Sequence, residues 1–132
     1  QIGDKLLQFV AKQISQVLRK EDFYARIGGD EFAMILGGYL HIHHVTQTAN
    51  RIIFALSKVF NINDLEIQIS TSIGIACFPF AGISGDELMK NADVAMYLAK
   101  SLGKNQYQFY SSELSENCQR RGAIELNLKN LY

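Results

Sequence analysis

The chain has 132 residues, 48% of them hydrophobic, with 13 cationic and 13 anionic side chains and so no net charge. That length suits one domain with a sizeable core. A balanced charge argues against a nucleic acid polymer or an anionic membrane as partner, so any phosphate chemistry must rest on locally placed cations.

The chain opens on "QIGDKLLQFV", in mid-pattern as a cut end would, without the charged-then-apolar layout of a signal peptide. No apolar run is long enough to span a bilayer. A cytoplasmic domain is expected, in a parent protein that a membrane could anchor. Ile2, Leu6, Leu7, Val10, Ile14 and Leu18 recur at three- and four-residue steps and predict an amphipathic helix. "FYARI" and "EFAMIL" flank Gly28–Gly29 and read as the arms of a β-hairpin. "LHIHH" follows with His41, His43 and His44; it reads as a strand-to-helix loop rather than a metal site.

Val45, Ala49, Ile52, Ile53, Leu56 and Val59 mark a second helix, and "NIND" then punctuates the chain. From Leu65 to Cys77 the apolar residues alternate, which predicts a long strand. Ser84 and Glu87 form a capping-box pattern ahead of a helix carrying Leu88, Ala92, Ala95, Ala99 and Leu102, and Gly103 is placed to stop it. "NQYQFY" reads as a short edge strand, and residues 112–132 as a polar, helical linker. Cys77 and Cys118 have no metal-type spacing and read as free thiols of a reducing compartment.

The order α-β-β-α-β-α-β-α predicts an α+β domain over residues 1–110, with a helical linker over 111–132. The architecture is a ferredoxin-like, split βαβ-type antiparallel sheet with helices packed on it. That plan wants a strand before the first helix. None precedes it here, so the sheet is expected to lack its first strand and to leave an unpaired edge beside the hairpin.

The hairpin tip raises the chemical question. Asp30 and Glu31 follow Gly28 and Gly29 directly. Adjacent carboxylates repel, while glycines let a ligand approach the backbone. Together they suit a hard cation with a phosphate ligand, because Mg²⁺ takes one or two protein carboxylates plus phosphate oxygens and water. An ordinary solvated turn accounts for the same spacing equally well.

A wider match decides between these readings. "GGDEF" at Gly28–Phe32 matches, letter for letter, the signature of the GGDEF family, the diguanylate cyclases. "ISTSIGIACF" resembles that family's "SIGIA" strand, and "NADVAMYLAKSLGKN" its "AD-x-A-x-Y-x-AK-x-x-G-R/K-N" segment. "GDKLLQFVAKQI" resembles the helix after the family's "GH-x-x-GD" turn. The matches run in order from Gly3 to about Asn105.

The resemblance implies an enzyme that condenses two GTP into cyclic di-GMP and pyrophosphate, using Mg²⁺ or Mn²⁺ and two domains meeting as a homodimer. It implies that Glu31 binds the metal, and that Asp30 binds metal or activates the attacking 3′-hydroxyl. Gly28 and Gly29 would admit the nucleotide, Asp4 would accept hydrogen bonds from the guanine edge, and Lys100 and Lys104 would reach the triphosphate. Lys104 stands where arginine is commoner, which keeps the charge but loses the bidentate fork. Arg19 and Asp22 match the R-x-x-D pair that binds cyclic di-GMP as inhibitor. Taken alone, Asp4 is a helix N-terminal charge, the lysines a solvated helix face, and Arg19 with Asp22 a surface pair.

Members of the family carry a strand before the "GH-x-x-GD" turn that supplies a second metal-binding aspartate and a guanine-reading asparagine. This chain does not contain it, so the fragment alone is expected to be inactive. Its tail resembles a linker leading to an EAL phosphodiesterase domain; an attached EAL or sensor domain is expected. The alternative is a non-catalytic module that binds GTP or cyclic di-GMP and regulates that phosphodiesterase.

Overall fold

The computed structural model describes residues 2–37, 41–110 and 122–127. Helix α1 (Ile2–Val17) leads into the hairpin of β1 (Phe23–Gly28) and β2 (Glu31–Leu36), and α2 (Ile42–Leu56) follows. A small hairpin of β3 (Phe60–Ile62) and β4 (Leu65–Ile67) precedes β5 (Ser72–Cys77), α3 (Gly85–Ser101), β6 (Gln106–Phe109) and β7 (Gly122–Asn127). The fold is α+β, as the patterning implies.

Among the described residues five strands form the main sheet, in the order β1-β2-β7-β5-β6. All neighbours are antiparallel except β5 and β6, which run parallel. Four sequence expectations fail here. The alternation from Leu65 to Cys77 is not one strand but breaks at residues 68–71 into β4 and β5, and just before it Asn63 and Asp64 take left-handed conformations (φ 52° and 66°). That geometry makes a tight two-residue turn, so β4 folds back on β3 as a separate sheet.

The tail is the second correction. Its described part, Gly122–Asn127, is a strand and not a linker helix. It lies between β2 and β5 and pairs with both, from Leu36↔Gly122 to Glu31↔Asn127 and from Cys77↔Gly122 to Ser72↔Asn127. The edge expected to stay unpaired beside the hairpin is therefore filled. Two facing rows of backbone donors and acceptors outweigh the helical spacing of the tail's leucines. Residues 111–121 and 128–132 of the expected linker lie outside the described residues. Cys77, read as a free thiol, is disulfide-bonded. Its register with Gly122 shows that the chain beyond β6 returns to this end of β5.

Alternation within the strands separates two layers. Phe32, Met34 and Leu36 of β2 and Ile73 and Ile75 of β5 meet Leu6, Val10 and Ile14 of α1 and Val45, Ala49, Ile52 and Leu56 of α2 in the main core. The opposite face of β5 carries the small residues Gly74 and Ala76, and α3 packs there. A methyl group on Gly74 would collide with the Ala92 carbonyl and the Met96 backbone nitrogen. The "SIGIA" alternation of large and small residues thus fits a strand covered on both faces by helices.

The Gly74 contact is with backbone, which cannot rotate away. Gly74→Ala is therefore expected to lower stability by at least ~2 kcal/mol through overpacking, read as a lower midpoint in urea denaturation. An unchanged midpoint would show that α3 stands farther from β5.

Candidate functional site

The hairpin tip is built by its glycines. Gly29 has φ 51°, in the left-handed region that L side chains rarely adopt, and Gly28 has φ 157°. The register shifts between Arg26 and Gly28, so Gly28 pairs with Glu31 across the turn. Arg26 Nε donates to the Gly29 carbonyl at 2.8 Å and braces it. No atom lies within 4 Å of where a Cβ would stand on either glycine. The space over the tip is open, and Asp30 and Glu31 occupy its rim, both half-buried.

Asp4 lies in the first turn of α1. It lines a cavity of about 360 Å³ with Leu7, Gln8 and Ala11 of α1, Tyr24 and Arg26 of β1, and Phe32 of β2. That volume is in the range of small-molecule sites. The structure thus brings Asp4 and Phe32, far apart in sequence, to one cleft between α1 and the GGDEF hairpin. Gln8, Tyr24 and Arg26 were not singled out from the sequence. Their signal was present: Gln8 is one helical turn after Asp4, and Tyr24 and Arg26 alternate onto the hairpin face that meets α1.

A larger, shallow depression of about 620 Å³ runs along α2 past His43, Thr46, Gln47, Asn50, Arg51 and Phe54. It contains none of the motif residues, and the smaller cleft is the better candidate because it joins Asp4 to the hairpin. The histidine loop is partly helical: His41 caps α2, accepting from the His43 backbone N–H at 3.2 Å.

Lys100 closes the last turn of α3, its Nζ 5.1 Å from the centroid of the Tyr97 ring. Lys104 stands beyond the helix in a left-handed conformation (φ 61°), between Gly103 (φ 121°) and Asn105 (φ 52°). Its N–H closes the helix end on the Ala99 carbonyl at 3.0 Å. The two lysines therefore stand on different kinds of backbone, one helical and one in a left-handed loop. Non-glycine residues held at positive φ need support from their surroundings and cluster at functional sites.

Arg19 and Asp22 form a closed corner. Asp22 accepts from the Arg19 backbone N–H (2.8 Å), from Arg19 Nη2 (3.2 Å) and from the Gly37 N–H (3.1 Å). Arg19 Nη2 also donates to the Gly37 carbonyl at 3.0 Å. The Asp22 side chain is 1% exposed, that of Arg19 36%. The corner ties the end of α1 to the end of β2, so Asp22 has a structural task whatever else it binds. Among the described residues the outward edge of Arg19 meets Glu21, at 3.6 Å. Burial alone would raise the Asp22 carboxyl; the hydrogen bonds from the Arg19 side chain and from the Arg19 and Gly37 backbones, with the Arg19 charge, outweigh it and hold it below its usual 3.8.

The residues at the tip fit a hard cation: two hard carboxylates beside open backbone leave room for phosphate oxygens and water to complete an octahedral shell. Among the described residues no group of three or more His, Cys, Asp or Glu gathers at one point. Nor is any described helix long and apolar enough to cross a membrane.

A family model described as "Diguanylate cyclase, GGDEF domain" matches residues 1–106. The signaling protein YkoW of Bacillus subtilis is 46% identical over 111 residues, 83% of this chain and 14% of that protein. The bifunctional diguanylate cyclase/cyclic di-GMP phosphodiesterase MucR of Pseudomonas aeruginosa is 40% identical over 120 residues, 91% of this chain and 17% of that protein. The chain spans under a fifth of the length of either relative. The X-ray structure of an EAL/GGDEF domain protein from M. capsulatus superposes with a TM-score of 0.78 at 44% identity, covering 83% of this chain and 71% of that one.

The Asp22 corner makes a prediction with a defined sign. A carboxyl depressed on folding stabilises above its unfolded value and loses that contribution as pH falls through its folded value. Asp22→Asn is expected to cost about 2 kcal/mol at pH 7. It should also flatten the loss of stability expected of the parent chain as pH falls below 3.8. Denaturation curves at pH 7 and pH 3 measure both effects; a variant as stable as the parent at pH 7 would show that the corner contributes nothing.

Proposed function

The chain belongs to the GGDEF family, and from that premise we propose that it is the cyclase module of a longer cyclic di-GMP signalling protein. In this reading it condenses two GTP into cyclic di-GMP and pyrophosphate, one GTP per domain. The observation that carries the proposal is the cleft that sets Asp4 beside an intact GGDEF hairpin.

Each residue has a task that follows from its chemistry. The Asp4 carboxylate, an acceptor with no proton to give, suits the adjacent N–H donors of a guanine edge. The open backbone at Gly28 and Gly29 admits the phosphates past the tip. Glu31, with Asp30, would hold Mg²⁺ or Mn²⁺, whose chemistry is to neutralise charge developing on the α-phosphate and the leaving pyrophosphate. Lys100 and Lys104 supply cations for the triphosphate. The 3′-hydroxyl oxygen of one GTP attacks the α-phosphorus of the other; that P–O bond forms as the bond to pyrophosphate breaks, and the hydroxyl proton leaves through Asp30 or water. A second attack in the opposite sense closes the ring, so two domains must face each other. The exposed edge of Arg19 is the part of the R-x-x-D pair open to the phosphate of the product.

A second reading is a non-catalytic GTP or cyclic di-GMP module that regulates an attached phosphodiesterase. It draws support from the tip, where only two carboxylates stand together among the described residues.

In the longer natural protein, Glu31→Gln is expected to cut cyclic di-GMP formation from GTP and Mg²⁺ at least ~100-fold, the scale of losing a major charge-stabilising group. Product is measured by chromatography and mass. Full activity in that variant would remove Glu31 from metal binding. An inactive parent that still binds nucleotide would favour the regulatory module.

A further inference from the structure

Strand β1 forms one edge of the main sheet: among the described residues β2 pairs with its inner side and no strand pairs with its outer side. Such an edge offers a row of backbone donors and acceptors to another chain, and folded proteins blunt it with proline, lysine, a bulge or a covering element. Phe23–Gly28 carries neither proline nor lysine. Its one charge, Arg26, is turned to the Gly29 carbonyl of its own hairpin at 2.8 Å. The register with β2 skips Ile27, but this bulge lies at the hairpin end and leaves Phe23–Arg26 in unbroken register with Ile35–Phe32. Phe23 is 61% exposed, Ile27 49% and Ile35, the cross-strand partner of Phe23, 51%. The edge is thus open and apolar.

The order of residues along β1 selects the partner. Laid antiparallel on itself about Ala25, the strand sets Phe23 opposite Ile27 and Tyr24 opposite Arg26. Alternation puts the first pair on one face and the second on the other. Apolar then meets apolar on one face, and a phenol ring meets a guanidinium on the other. Each pair occurs twice across the axis, and no like charges stand opposite each other.

We propose that β1 is a homodimer contact: two copies of the chain pair their β1 edges antiparallel about a two-fold axis at Ala25, joining two sheets into one. The inference stands on the edge and does not depend on the cyclase reading. The contact is isologous, so it closes on itself and leaves no open edge at β1 for further growth. Antiparallel pairing sends the two hairpin tips in opposite directions. Each Gly29 is four residues from the axis, so the tips stand about 26 Å apart along the strands. The contact is therefore distinct from the face-to-face encounter of two nucleotide-loaded domains and leaves both tips open. Tyr24 and Arg26 also line the Asp4 cleft, so each cleft gains the second copy's β1 as a neighbour.

The test is sedimentation equilibrium of the chain over a range of concentrations, for the parent and for Phe23→Lys and Ile27→Glu, singly and together. The parent is expected to form a dimer. Each single variant should weaken it at least ~10-fold by setting a charge against an apolar side chain. The double variant should recover most of that loss, because a cation then faces an anion at both ends of the ladder. Within one copy the two positions lie about 13 Å apart along the strand, so the charges cannot compensate each other in a monomer. Both side chains are exposed in the single chain, and an unchanged urea midpoint checks that the variants fold. Ala25→Cys should give a covalent dimer on mild oxidation, since the two copies of that position meet on the axis. Ala33→Cys, its cross-strand partner one strand inward, should not. A parent that stays monomeric, or that forms open aggregates instead of a dimer, would overturn the proposal. So would a dimer indifferent to the single variants, or a double variant as weak as either single one.

Discussion

The sheet depends on a strand between β2 and β5. Each of these strands turns a row of backbone donors and acceptors toward the same gap, and an unfilled gap would leave both rows unpaired inside the domain. In the described structure the hairpin bonds sideways only to β7, and β7 bonds to β5. That one strand joins the tip carrying the carboxylates to the part of the sheet packed against α3. It also fixes what stands beside the tip: Glu31, the first residue of β2, is in register with Asn127, and Asn127 with Ser72. Any segment in this slot therefore sets the chemical neighbour of Glu31.

Covering the sheet follows from the same arrangement. The helices α1 and α2 share one face, where Phe32, Met34, Leu36, Ile73 and Ile75 supply bulk. On the other face α3 packs on β5, β6 and β7, and Gly74 and Ala76 let it approach closely. Over the hairpin that face keeps Phe23, Ile27 and Ile35 exposed. Phe23 and Ile35 are cross-strand partners, so their contact with each other recovers part of the lost burial. Side-chain volume thus tracks the layers: large where two helices share a core, small where one helix lies close to the strand.

Periodicity made most of this legible. The helical stripe Leu6, Val10 and Ile14, the stripe of α2 and the hairpin arms all fall where the spacing places them, because each has one buried face to satisfy. Two elements were not legible, for different reasons. The break between β4 and β5 falls at residues 68–71, and an alternating run carries no mark of which sheet each half will join. β7 is set by a long-range vacancy, and local spacing is silent about partners 45 to 96 residues away in the chain. The site divides in the same way. Asp30, Glu31 and the glycines are contiguous and were visible as a motif. The cleft around Asp4 is made by Tyr24 and Arg26 from another element, which only the fold brings near.

Arg19 and Asp22 show why a short motif underdetermines a role. As letters they are a ligand-binding pair. In the structure Asp22 spends its acceptors on Arg19 and Gly37, locking the end of α1 to the end of β2. The same bonds orient Arg19 and leave its other edge outward. The structural and the binding reading are therefore not rivals. A flexible arginine loses rotamer entropy when it grips an anion, and an arginine already fixed by a buried carboxylate has lost most of it on folding. A corner that holds the fold together is, for that reason, also a prepared place for a phosphate.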